Sequence, residues 1–129
     1  MTFILVPKQG EDVQVNAWNW RPTLELLRAE NLLADEDYER LAANGCGGHV
    51  DAALAYRIAD VVESKLAAMD PGERLRADLS ITATPKVLQT FTAETKPDDV
   101  DTVNLYSATY EWLVTFKDFC KRSEGFEVL

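Results

Sequence analysis

The 129-residue sequence carries 22 acidic against 13 basic side chains, a net charge of −9, and 47% of its residues are hydrophobic. This length suits a single domain with its own core, and the acidic balance disfavours nucleic-acid binding, which needs clustered lysine and arginine. No apolar run approaches the roughly 18 residues of a membrane helix, and the first residues lack the basic leader of an export signal. We therefore expect a cytoplasmic protein that binds neither nucleic acid nor membrane.

The chain begins with the pattern of a β-hairpin. Residues 2–6 are apolar and largely β-branched, and residues 8–12 form a polar turn that contains a glycine. Val13, Val15 and Ala17 then alternate with polar residues. Such alternation after a short turn predicts a second strand that pairs with the first.

Two short helices are predicted next, over residues 22–30 and 36–43. Pro22 suits the first turn of the first helix, where its missing N–H has no intrahelical partner to lose. Asp35 is a favourable N-cap for the second helix. Asn44-Gly45 then offers the left-handed residue that commonly ends a helix.

The clearest pattern in the chain predicts a helix from Val50 to Met69. Apolar residues recur there at steps of three and four, and Asp70-Pro71-Gly72 ends the pattern. Alternation over residues 78–84 predicts a strand. Residues 86–95 fit either a strand or a helix.

A last helix, with a wide aromatic stripe, is predicted from about residue 98 to residue 121. The carboxylates at its start suit the positive end of the helix dipole: Asp98, Asp99 and Asp101. Residues 126–129 could add an edge strand to the sheet. Together the patterns predict one α+β domain, residues 1–129, in which about four helices pack on a small, mostly antiparallel sheet that includes the N-terminal hairpin.

The segment before the long helix is the first candidate site, because it contains the single histidine, one of the two cysteines and three of the six glycines. Its residues are Asn44, Gly45, Cys46, Gly47, Gly48 and His49. Its glycines would leave backbone N–H groups free to face an anion at a helix N-terminus. A cysteine near such a terminus has a lowered thiol pKa, and His49 lies three residues after Cys46, within reach as a base. One interpretation is therefore a ligand-binding loop.

The same residues also fit a turn between two helices, with Cys46 as a small buried side chain. The carboxylate of Asp51 would raise the pKa of that thiol, and no Lys-Ser or Lys-Thr pair follows the glycines as in a nucleotide-binding loop. With one histidine, and with Cys46 and Cys120 far apart, we predict no metal site, no disulfide and no cofactor. We favour the turn and keep the ligand-binding loop as the alternative.

The segment WNWRP, residues 18–22, is the second candidate site. Trp18, Trp20 and Arg21 are of the residue types that dominate protein–protein hot spots. If the preceding strand continued, both tryptophans would point to one face; the simpler interpretation is that both fasten the hairpin to the helices. Carboxylates join them as candidate contacts: Glu36, Asp37, Glu39, Asp51, Asp98, Asp99 and Asp101.

These features favour a non-enzymatic interaction protein, resembling an inhibitor or an immunity protein in its role, whose acidic face masks a basic protein partner. The alternative function is a small-molecule or anion-binding domain, or an enzyme, built on the glycine-rich loop 44–49. The wide apolar stripe of the last helix adds the hypothesis of a homodimer, since such a face often seeks a partner.

Overall fold

The computed structural model describes residues 2–42, 48–83 and 107–129. These residues form an α+β fold with four helices and two small antiparallel sheets, which confirms the predicted fold class and the N-terminal hairpin. In chain order the elements are β1 (Thr2–Pro7), β2 (Val13–Asn16), α1 (Ala17–Ala29), α2 (Asp35–Ala42), β3 (Gly48–Asp51), α3 (Ala52–Ala67), β4 (Glu73–Arg76), β5 (Ile81–Ala83), β6 (Ser107–Thr109), α4 (Tyr110–Arg122) and β7 (Gly125–Val128).

The larger sheet has the strand order β2-β1-β7-β3, with every pair antiparallel. The strand β7 therefore lies inside the sheet, between β1 and β3, and the predicted position of residues 126–129 at an edge is wrong. Its register places Glu127 opposite both Val6 and His49. The smaller sheet has the order β5-β4-β6.

Aromatic side chains form the centre of the core, between the larger sheet and the helices. Trp20 of α1 packs edge-on against Phe116 of α4, with ring centroids 5.6 Å apart, and Phe116 packs in the same way against Phe126 of β7 at 6.1 Å. Trp112 stacks on Phe116 at 5.4 Å, and its indole N–H donates to the buried hydroxyl of Thr23 at 3.0 Å. Such pairs add to the stabilisation that burial of the rings provides.

The helix α1 begins five residues earlier than predicted. The side chain of Asn16 accepts a hydrogen bond from the backbone of Asn19 at 3.0 Å and so caps the helix. Pro22 lies within α1, not in its first turn. The helix ends in a Schellman motif, because Asn31 takes a left-handed conformation (φ 59°) and the backbone N–H of Leu32 bonds the carbonyl of Leu27.

The predicted long helix is confirmed as α3. It begins two residues later than expected, because Val50 and Asp51 belong to strand β3. Asp51 is the N-cap, and its carboxylate accepts from the backbone N–H of Leu54 at 2.7 Å. The residues just before it pair with β7 as strand β3, which the sequence pattern did not predict. The predicted strand 78–84 is shorter than expected, since Asp78 and Leu79 belong to the turn between β4 and β5.

The last helix, α4, begins at Tyr110, so its predicted start near residue 98 is wrong. Ser107–Thr109 is extended and pairs with β4, and the hydroxyl of Thr109 then caps α4 by accepting from the backbone of Trp112 at 3.0 Å. Asp98, Asp99 and Asp101 lie outside the described residues, as does segment 86–95. The apolar stripe of α4 is buried inside the chain, so it no longer argues for a homodimer, which stays an untested prediction.

Candidate functional site

Only the last two residues of the proposed glycine-rich loop are described, and both belong to strand β3. Gly48 is buried against α2: a Cβ there would lie 2.4 Å from Cδ2 of Leu41 and 3.3 Å from the backbone of Arg40. A side chain at this position would therefore force Leu41 to shift, so close packing favours glycine here. His49 points to the opposite, exposed face of the sheet. Asn44, Gly45, Cys46 and Gly47 lie outside the described residues.

The second cysteine, Cys120, is buried in α4 as a free thiol. Burial raises the pKa of this thiol, because the thiolate would lose its hydration without gaining a partner charge. Cys120 is therefore a core side chain and no nucleophile at neutral pH. Within residues 2–42, 48–83 and 107–129, no three acidic, histidine or cysteine side chains gather as metal ligands, and no helix has the length and apolar character to cross a bilayer.

The two tryptophans of WNWRP lie in helix α1 and not on a continuing strand. Side chains two positions apart on a helix point in nearly opposite directions, so the expected common face does not form. Trp18 remains 42% exposed, whereas Trp20 is 1% exposed and donates its indole N–H to the carbonyl of Leu41 at 2.9 Å. Trp20 thus fastens α2 to α1, and among these three candidates Trp18 and Arg21 are the exposed ones.

Helix α2 carries a dense set of carboxylates at the surface. All four acidic residues of this eight-residue helix are exposed: Asp35, Glu36, Asp37 and Glu39. Nη2 of Arg40 forms an ion pair with Oε1 of Glu36 at 3.0 Å, and Nε of Arg28 in α1 lies 3.7 Å from Oδ1 of Asp35. Asp37 and Glu39 have no ion pair within the described part of the chain. The early position of these charges suits the positive end of the helix.

A cleft of about 320 Å³ separates α1 from α2 beside these carboxylates. Its floor is apolar, formed by Phe3 of β1 with Trp20 and Leu24 of α1. The remaining lining residues are Ala17, Arg21, Tyr38 and Ala42. The cleft is therefore bounded by three aromatic rings and one guanidinium group.

One lining residue of the cleft, Tyr38, belongs to a polar cluster with two residues of α1 that do not line the cleft. The phenol of Tyr38 donates a hydrogen bond to the carboxylate of Glu25, and the guanidinium of Arg28 lies 4.7 Å from the centre of the phenol ring. Burial and the bond to Glu25 raise the pKa of Tyr38, against the opposing effect of Arg21 and Arg28. The phenol therefore stays protonated at neutral pH and can keep donating its hydrogen bond to Glu25.

The sequence interpretation did not single out Tyr38 as a site residue. Its spacing with Leu41 and Ala42 places Tyr38 on an apolar face of the predicted second helix. A signal was available, because Arg21, Glu25 and Arg28 stand four and three positions apart and must share one side of α1. A polar stripe that faces a neighbouring helix indicates a hydrogen-bonding partner there, and the tyrosine of the next helix is the natural one.

Comparison with known proteins gives no family and no relative. No model of a protein family matches the chain, and no significant match exists among curated proteins or solved structures.

Proposed function

We propose that the protein is a non-enzymatic interaction module, comparable in role to an inhibitor or an immunity protein, that binds a basic protein partner through helix α2. The observation that carries this proposal is the exposure of all four carboxylates on one short helix, two of them, Asp37 and Glu39, without an ion pair in the described residues. A reducing, cytoplasmic setting is part of the proposal, because Cys120 is a free thiol.

The electrostatics of the chain support this proposal in two ways. A net charge of −9 attracts a basic protein at long range and accelerates association. At short range, lysine or arginine side chains of the partner can pair with Asp37 and Glu39 without first breaking an ion pair in the described part of the chain. Each such exposed pair contributes about 0.2–1 kcal/mol.

The test compares two matched double variants. Asp37→Asn with Glu39→Gln removes two charges from α2, and Asp60→Asn with Glu124→Gln removes two exposed charges elsewhere. The immobilised parent protein should capture basic proteins from a native extract at low salt and release them as salt rises. Two pairs at the strength above correspond to about 2- to 30-fold weaker binding for the α2 variant.

The control variant should bind like the parent, because the two charges it removes lie outside α2. Its net charge equals that of the α2 variant, so a difference between the two variants reports the position of the charges and not their total. Captured proteins can be identified by mass spectrometry and their affinities measured by titration. Capture of proteins without basic character would contradict the proposal, and so would an equal loss of binding in both variants.

A further inference from the structure

One face of the smaller sheet carries hydrogen-bond donors and positive charge in a chain that is otherwise acidic. Leu75 of β4 is fully buried, so its neighbours Arg74 and Arg76 lie on the opposite face of that strand. We propose that this face binds the phosphate group of a small ligand, with Arg74 as the principal contact. The site is independent of the function proposed for α2.

The residues beside the two arginines all carry hydroxyl groups. Arg74 lies opposite Thr82 of β5 on one side and opposite Thr109 of β6 on the other, and Arg76 lies opposite the buried Ser107. The hydroxyl oxygen of Thr109 accepts a hydrogen bond from the first turn of α4, which leaves its proton available to a ligand. No strand residue on this face of the described sheet is acidic, although the net charge of the chain is −9.

Arg74 is a cation without an acceptor. Its Nε atom is buried and has no hydrogen-bond partner, and no carboxylate of the described residues forms an ion pair with its guanidinium group. A buried donor without an acceptor destabilises a fold, and the cost is larger when the group is charged. Arg74 is partly exposed as a whole, so an anion from solvent can reach the guanidinium and supply the missing acceptor.

The arrangement of donors favours phosphate over carboxylate. Two parallel N–H bonds from a guanidinium group occupy both oxygens of a carboxylate. A phosphate group has a further oxygen for the hydroxyl of Thr82 or Thr109, and at neutral pH it carries more than one negative charge.

The second charge of the phosphate group suits Arg76. Residues two positions apart on a strand lie roughly 6.6 Å from each other, so two arginine side chains at this spacing can reach one phosphate group. The pKa of Asp78 is lowered mainly by hydrogen bonds from Ser80 and also by the charge of Arg76. Because Arg76 already acts on that carboxylate, it is the secondary contact.

The test titrates inorganic phosphate into the protein at neutral pH and constant ionic strength, with two-dimensional amide NMR as the readout. Acetate and phenyl phosphate are titrated in the same way, as a carboxylate and an organic phosphate. Arg74→Met removes the guanidinium group and places a methyl group near the position of Nε. Arg57→Met, at an exposed arginine of helix α3, removes the same charge elsewhere and is the matched control.

Phosphate should shift the amide resonances of Thr82 and Thr109 saturably, and Arg74→Met should weaken this binding at least about 10-fold, as loss of a charged hydrogen-bond donor requires. Arg57→Met should bind phosphate like the parent protein, and acetate should bind more weakly than phosphate. Tighter binding of phenyl phosphate would assign the site to an organic phosphate, and tighter binding of inorganic phosphate would assign it to the free ion.

The stability of Arg74→Met separates a binding role from a structural one. Without phosphate, its urea midpoint should equal or exceed that of the parent protein, because the variant lacks the unpartnered buried donor. A lower midpoint would show that Arg74 supports the fold and would overturn the proposal. The absence of saturable shifts at Thr82 and Thr109, equal binding of acetate and phosphate, or equal weakening by both variants would also overturn it.

Discussion

Replacement of Gly125 by alanine should destabilise the protein strongly, because two independent costs coincide at this residue. Gly125 has a φ of +104°, in the region that disfavours side chains. A Cβ there would also lie 2.9 Å from the carbonyl oxygen of Val50 and 3.2 Å from the backbone nitrogen of Ala52. Both neighbouring atoms are backbone, so neither can rotate away.

The magnitude follows from these two costs. Backbone strain of this kind costs about 1–3 kcal/mol, and overpacking costs a further 1–3 kcal/mol or so. We expect Gly125→Ala to lower the free energy of unfolding by about 2–6 kcal/mol, a large part of the roughly 5–15 kcal/mol of a typical domain. Urea titration followed by tryptophan fluorescence measures this loss.

Gly72→Ala is the matched control. No atom lies within 4 Å of a Cβ at Gly72, and its φ is outside the strained region. Its free energy of unfolding should stay within about 1 kcal/mol of the parent value, on the stabilising side if it differs. A loss below about 1 kcal/mol for Gly125→Ala would refute the reasoning, since the two costs could then not both be present.

Three further predictions concern single side chains. Trp112→Phe should lower the free energy of unfolding by about 1–3 kcal/mol in urea titration, because it removes the hydrogen bond to Thr23 and leaves part of the space of the indole unfilled; an unchanged midpoint would contradict this. Cys120 should resist alkylation by iodoacetamide until urea unfolds the chain, which mass spectrometry can measure. Alkylation of Cys120 in the folded protein as fast as in the unfolded protein would contradict its burial. The raised pKa of Tyr38 contributes stability that is present below its ordinary pKa of 10.0 and is lost as pH rises through the higher folded value. Tyr38→Phe should lack that alkaline loss in pH-dependent unfolding, and an identical pH profile for both proteins would count against it.

The sequence predicted those elements whose signals are local. Alternation at residues 13–17 identifies the second hairpin strand, and the apolar repeat between Val50 and Met69 identifies α3. The acidic start of α2 at Asp35 and the Asp70-Pro71-Gly72 stop also act within a few residues, so the predicted boundaries there are accurate to a residue or two. Each of these signals depends on near neighbours alone.

The wrong or missing elements depend on distant partners. Strand β3 has four residues, too few for a periodic signal, and it forms because it pairs with residues 125–128. Strand β6 forms because it pairs with Arg74 and its neighbours in β4. Residues 107–109 are therefore extended, although the sequence pattern predicts them as part of the last helix. In α1, the burial of Trp20 outweighs the local preference of Pro22 for a first turn.

The candidate site was predictable only in part, for the same reason. Composition identified Glu36, Asp37 and Glu39 as surface charges, because short acidic helices are solvated wherever they pack. The cleft requires Phe3, Leu24 and Tyr38 to converge from three elements, and no spacing in the sequence specifies that convergence. Cys46 and the glycines beside it lie outside the described residues, so their role stays a prediction.

The interior position of β7 has a consequence for folding during synthesis. This strand joins β1 to β3 and is synthesised after both of them. Until Gly125–Val128 are synthesised, β1 and β3 both lack the strand that pairs with them in the sheet. The larger sheet therefore cannot form as a whole before that point. Pairing β3 with β7 closes the long loop of chain between them, and the closure of a long loop slows folding. During that time the edges of β1 and β3 stay unpaired and prone to aggregation, so we expect chaperones to bind the chain at this stage.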